Sequence, residues 1–206
     1  MVKEYFIAFE PEEELVGQIL KQKEFVRDSI GEQKYLSDPP HFTLYLFSCD
    51  NIDEVISKLN GVVNNLKRFS VSLTGFHVFY DDIVTGGHTI TYGLDDSSVR
   101  ILRGIQIKVI NSIKEFNTNV RFSNSSSSYG KMPNLQKANC DLFGFPYVGD
   151  IWVPHITVAS IDKLYFDNLF SKLKSQPING SYLLDSINIY EITDNNKRVA
   201  HFRLIE

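Results

Sequence analysis

The sequence is short of the residues that carry several common functions. Only Cys49 and Cys140 are present among 206 residues, too few for a disulfide framework or a thiolate metal cluster, so two reduced thiols outside the function are expected. No run approaches the roughly 18–20 uncharged apolar residues that a membrane span needs. The start, MVKEYFIAFEPEEEL, lacks the basic-then-apolar layout of a signal peptide. A soluble cytoplasmic protein with no membrane partner is the expectation. Basic charge is also scarce: 21 Lys and Arg stand against 25 Asp and Glu, for a net charge of −4. Proteins that grip long duplexes draw affinity from many cationic contacts to phosphates, which argues against a long nucleic-acid duplex. A small nucleotide or a short RNA remains open as a partner.

Hydrophobic residues make up 43% of the chain and charged ones 22%, enough apolar surface for a proper core. The opening YFIAFEP reads as a strand, and EEELVGQILKQKEFVRDSI as a helix with acidic residues at its start. HFTLYLF is a strand, and NIDEVISKLNGVVNNLKRF a helix with Asn51 or Asp50 as N-cap. FSVSLTGFHVFYDD and HTITYGL are strands joined across Gly86 and Gly87, followed by helical spacing in SSVRILRGIQIKVINSIKEF. Residues 117–150, rich in Ser, Asn and Gly, read as a long loop or insertion that ends in the aromatic cluster LFGFPY. Strand HITVASI, helix KLYFDNLFSKLKS, strand SYLLDSINIYEI, a turn at TDNNK and strand RVAHFRLIE complete the chain.

Two stretches repeat a pattern. PPHFTLYLF at 39–47 and WVPHITVAS at 152–160 each place a proline, a histidine and, two residues on, a threonine inside an apolar run. From His41 the series is strand, helix, strand, turn, strand, and from His155 it is the same again. Ser70 and Ser181 stand at the start of the third element in each. The chain therefore reads as a diverged duplication, one domain over 1–206 made of two lobes about a pseudo-twofold axis.

Side chains at i and i+2 of a strand share a face, so His41, Thr43 and Tyr45 are expected together, as are His155 and Thr157. Two imidazoles suit displacement at phosphorus, one taking a proton from the attacking oxygen and the other protonating the leaving oxygen. The threonine hydroxyls would bind the non-bridging phosphate oxygens. No cofactor and no metal is required. A single His-x-Thr is common by chance; two at equivalent places are far more specific. His77, His88 and His201 lack a hydroxyl residue two positions on and read as structural or surface residues.

These residues resemble the 2H phosphoesterase superfamily, named for two His-x-Thr/Ser motifs, here HFTL at 41–44 and HITV at 155–158. The opener YFIAFEP and the stretch FSVSLTGFHVF are similar to strands of its LigT-like members, so the resemblance covers nearly the whole chain. WVPHITVA is similar to the branch that holds 2',5'-phosphodiesterases. The resemblance implies an α+β bilobal fold, two antiparallel sheets flanked by helices around a central cleft. It also implies metal-independent phosphodiesterase activity on a ribose 2'-linked phosphodiester, a 2',3'-cyclic phosphate or a 2',5'-oligonucleotide, with His41, Thr43, His155 and Thr157 as catalytic residues. A non-catalytic binder of nucleotides or RNA ends, or an RNA 2',5'-ligase, are the alternatives, and a monomer is expected. The motifs stand further apart than in compact relatives, and the excess falls in residues 117–150. Phe143, Phe145 or Tyr147 in that segment either stack on a base as part of a lid, with Tyr45 beside them as a substrate contact, or anchor the loop to the body.

Overall fold

A computed structural model describes residues 1–206 except 83, 119–121, 124, 127, 128 and 195. Parts of the expected insertion, of the turn before His88 and of the TDNNK turn thus lie outside the described residues. The order is β1 (Lys3–Pro11), α1 (Glu13–Ile30), β2 (Phe42–Cys49), α2 (Ile52–Val63), β3 (Phe69–Phe79), β4 (His88–Leu94), α3 (Asp96–Ile113), α4 (Asn134–Phe143), β5 (Ile156–Ile161), α5 (Lys163–Leu173), β6 (Gly180–Glu191) and β7 (Lys197–Arg203). Local chemistry explains the helix starts. Asn51 and Asp95 accept from the backbone N–H groups of Asp53 and Ser98 at 3.2 and 2.8 Å, filling donors that a helix leaves unpaired. α1 has no such cap, but Glu13 and Glu14 sit in its first turn, where carboxylates meet the positive end of the helix dipole. No described helix is long and apolar enough to cross a membrane.

All paired strands are antiparallel, in the order β2-β1-β6-β3-β4-β5, with β7 added beside β6. The order is a palindrome if β1 is exchanged with β4, β2 with β5 and β3 with β6. The repeating unit is therefore β-α-β-α-β, beginning at Lys3 and again at His88. This corrects the frame that starts at each motif: the elements occur as expected, but β4 answers to β1, and β7 has no counterpart.

Irregularities repeat with the unit. β2 carries an extra residue, Leu44, between the pairs Ile7–Tyr45 and Ala8–Thr43. β5 carries Val158 between Ile90–Ala159 and Thr91–Thr157. β3 and β6 bulge at Thr74 and Asp185, where each leaves its pairing with the other and joins β4 or β1. Bulges bend a strand and re-aim its side chains. The two antiparallel sheets expected from the sequence are in this way two arms of one hydrogen-bonded sheet, joined through the first halves of β3 and β6.

The helices cross between the arms. α1, which follows β1, packs on β5 and α5, whereas α3, which follows β4, packs on β2 and α2. Leu15, Ile19 and Val26 of α1, and Leu102, Val109, Ile110 and Ile113 of α3, are fully buried, and one continuous core runs through both arms.

The segment 117–150 is not all loop, since α4 lies within it. Pro133 before the helix and Gly144 after it, the latter left-handed at φ 68°, are start and stop signals that the surrounding Ser and Asn obscure. A Cβ at Gly144 would also lie 2.0 Å from Asn117 Nδ2. Gly144→Ala should destabilise the protein by about 1–3 kcal/mol, read as a lowered Tm; an unchanged Tm would show that this junction tolerates rearrangement.

Candidate active site

Each motif begins with a proline, and the geometry explains why. The residue before a proline is confined to extended backbone, which fixes the direction of its carbonyl. In both motifs that carbonyl meets the histidine two residues on. His41 Nδ1 lies 2.7 Å from the Pro39 oxygen, and His155 Nδ1 lies 2.7 Å from the Val153 oxygen. A carbonyl can only accept, so Nδ1 carries the proton in each ring and Nε2 is left with its lone pair. His41 Nε2 is 3.0 Å from Thr43 Oγ1, which donates to it.

A buried polar side chain secures the approach to each histidine. In α1, the Lys23 ammonium donates to the carbonyl oxygens of Tyr35 and Asp38, the latter at 2.8 Å. In α3, Gln106 Nε2 donates to the oxygens of Leu44 and Tyr147, both at 2.9 Å, and its Oε1 accepts from Gly149 N–H at 3.1 Å. Lys23 and Gln106 occupy matching places in the two units. Tyr35 and Gly149, which also match, both adopt positive φ, 72° and 67°. Burial lowers the Lys23 pKa to about 8.

β2 and β5 end the palindrome, yet they approach each other, so the arms fold inward and bring the motifs together. The charge of His41 is felt by His155. Burial pushes the His155 pKa down to about 4, with the charges of His41 and His77 adding to the effect while the Val153 carbonyl and Asp82 oppose it. Burial also lowers the pKa of His41, the Pro39 carbonyl and Asp38 opposing and Lys23 assisting. Both rings are accordingly neutral at pH 7. Both rings keep part of their surface open, and aromatic neighbours shield the rest: Phe6 stacks on His41 with centroids 4.9 Å apart and 28° between planes. Phe79 meets His155 at 4.9 Å and 63°.

Thr43 and Thr157 are partly exposed beside their histidines. Tyr45 is not with them. The extra residue Leu44 shifts the alternation, so Tyr45 turns to the opposite face, where it is fully buried and donates to the Phe143 oxygen. Phe145 is 4% exposed and packs edge-on against Tyr45 at 5.7 Å. The expectation of substrate contact is corrected for both: they are core residues that fasten α4 to β2. Tyr147 is 39% exposed, and the charge of Asp82 acts on both it and His155. His77, set aside in the sequence, stands on the same face as Thr157 through Thr91. His88 is enclosed by Tyr80 and Phe166. Among the described residues, no three His, Cys, Asp or Glu side chains gather as a metal ion would require.

A model of the 2'-5' RNA ligase superfamily matches residues 11–196. The chain belongs to this superfamily. The 2'-5' RNA ligase superfamily match spans both motifs and all elements from α1 to β6. Among solved structures, TT0787 of Thermus thermophilus is similar over 98% of this chain and 97% of its own, at 13% identity and a TM-score of 0.56. E. coli LigT, solved with NADP+, is similar over the full length of both chains, also at 13% identity and 0.56. Usb1 of Kluyveromyces marxianus is similar over 99% and 98%, at 14% identity and 0.50. At such identities the likeness is one of fold. No curated protein matches the sequence.

Proposed function

We propose that the protein is a metal-independent phosphodiesterase that cleaves a bond from phosphorus to a ribose 2' oxygen, in a 2',3'-cyclic phosphate or a short 2',5'-linked RNA. The observation that carries this reading is the pair of neutral imidazoles, each with Nδ1 tied to a carbonyl and Nε2 left for proton transfer, on strands that meet. One Nε2 takes the proton of an attacking water as its oxygen bonds to phosphorus. The other, protonated, gives its proton to the 2' oxygen as that bond breaks. Thr43 turns its hydroxyl from His41 Nε2 to one non-bridging oxygen and Thr157 donates to the other, where charge builds up. Phosphate binding between the rings raises their pKa values, so the site takes up a proton with its substrate.

Relatives of the same fold support a small phosphate-bearing ligand: E. coli LigT has been solved with ATP, with 3'-AMP and with phosphate. The test is a panel of 2',3'-cyclic nucleotides, 2',5'-oligoadenylates and 3',5'-linked controls, incubated in EDTA and resolved by chromatography. Products from the first two groups only are expected. Binding without products would favour the sequestering module, and joined products would favour ligation. Thr43→Val and Thr157→Val should each lower kcat by about 10²-fold with a smaller change in KM, the signature of a contact made in the transition state; equal loss in both parameters would assign the hydroxyls to ground-state binding.

A further inference from the structure

β7 breaks the symmetry of the sheet, and it does so on the face that carries the first motif. Thr43 stands opposite Ala8, Ala8 opposite Asn188, and Asn188 opposite His201. Antiparallel partners share a face, so a row runs from the motif threonine out to β7. Arg198 and Arg203 lie on the same face, opposite Tyr190 and Ser186. Among the described residues the other arm ends at His77, which matches Asn188, with no basic strand beyond it. In a chain of net charge −4, this edge gathers Arg198, His201 and Arg203, all exposed. Glu10 faces them, 3.4 Å from Arg198, and Asp38 accepts from Asn196 just before β7. Among the described residues, Arg203 has no ion-pair partner within 4 Å.

Asn188 lies beneath this edge, in register with His201. Its side chain is fully buried, and its Oδ1 accepts from His201 Nδ1 at 2.7 Å. Its Nδ2 has no hydrogen-bond partner. A buried amide donor left unpaired costs about 1–3 kcal/mol, and such groups call for a specific explanation.

We propose that the β7 edge is a second phosphate subsite, which holds a phosphate further along an RNA strand whose reacting linkage lies between His41 and His155. This rests on the function proposed above. Three strand spacings of about 4.8 Å separate Thr43 from His201, roughly 14 Å, more than one nucleotide unit, so the substrate is an oligonucleotide of at least three residues. Arginine forks match phosphate oxygens with two parallel hydrogen bonds.

The experiment measures binding, by calorimetry or anisotropy, of wild type and the R198A/R203A variant to a mononucleotide 3'-phosphate and to oligoribonucleotide 3'-phosphates of two to five residues. Wild-type affinity should rise about tenfold by the third residue, and the variant should lose that rise together with about 0.7 of salt-dependence slope per phosphate contact. No rise in wild type, or the same rise in the variant, overturns the proposal and leaves the arginines as charges that guard a sheet edge. Turnover is not read here, so a protein inactive on every 2'-linked substrate would remove the proposed function without touching this result.

Discussion

His41→Ala and His155→Ala should each lower kcat on the accepted substrate by about 10³–10⁴-fold, the contribution of a positioned acid or base. The two losses should not add. The rings act as one unit, so H41A/H155A should be scarcely worse than either single variant. Folding is a separate matter. Each ring makes one hydrogen bond to a carbonyl and one aromatic contact, and His41 also accepts from Thr43. A loss of about 1 kcal/mol would move Tm by only about 2–4 °C in a chain of this size. A variant that keeps its Tm and loses turnover locates the chemistry; near wild-type turnover in H41A would refute the two-histidine mechanism.

The pH profile of kcat/KM should peak on the acid side of neutrality. The working form carries one proton on the pair. Burial lowers His155 to about 4 and brings His41 below its usual 6.5, so this form is most abundant between those limits. Above them the free protein holds no proton on either ring, and kcat/KM should fall about tenfold per pH unit. Below about 4 both rings are charged and the base is lost. Because a bound phosphate raises both values, the profile of kcat should lie at higher pH than that of kcat/KM. The apparent pKa values belong to the pair. Stopped assays across about pH 3.5–9 in constant ionic strength would show this, and a kcat/KM that climbs steadily to about pH 9 would contradict it.

Much of the fold was legible because alternating or helical apolar spacing marks elements wherever one side faces a core. Asn51 as a cap and the strand character of both motifs follow from local rules of that kind. The motifs stand out because proline, histidine and threonine recur in the same strand context. The side that Tyr45 faces is hidden for a definite reason: a single extra residue inverts the alternation, and Leu44 and Tyr45 are both bulky enough to be core residues, so nothing in the letters reveals the slip. The frame of the repeat was hidden by divergence, since YFIAF in β1 and HTITY in β4 share almost no side chains though they pair alike. Lys23 stood among the inward positions of α1, with Leu15, Ile19, Gln22 and Val26. A lysine at such a position is a signal that the sequence did offer. Phe6 beside His41 is a long-range contact, and the Asp82 charge acting on His155 a long-range effect, that only the folded chain brings about.

The exchange of helices between the arms carries a further consequence. A fragment ending after β3 would hold α1 with neither β5 nor α5 to cover its apolar side, and the remainder would hold α3 with neither β2 nor α2. Neither piece could close a core by itself, whereas the two mixed together could each complete the other. Unfolding should then be a single event, and the gap between the imidazoles is set by halves that interlock through their helices.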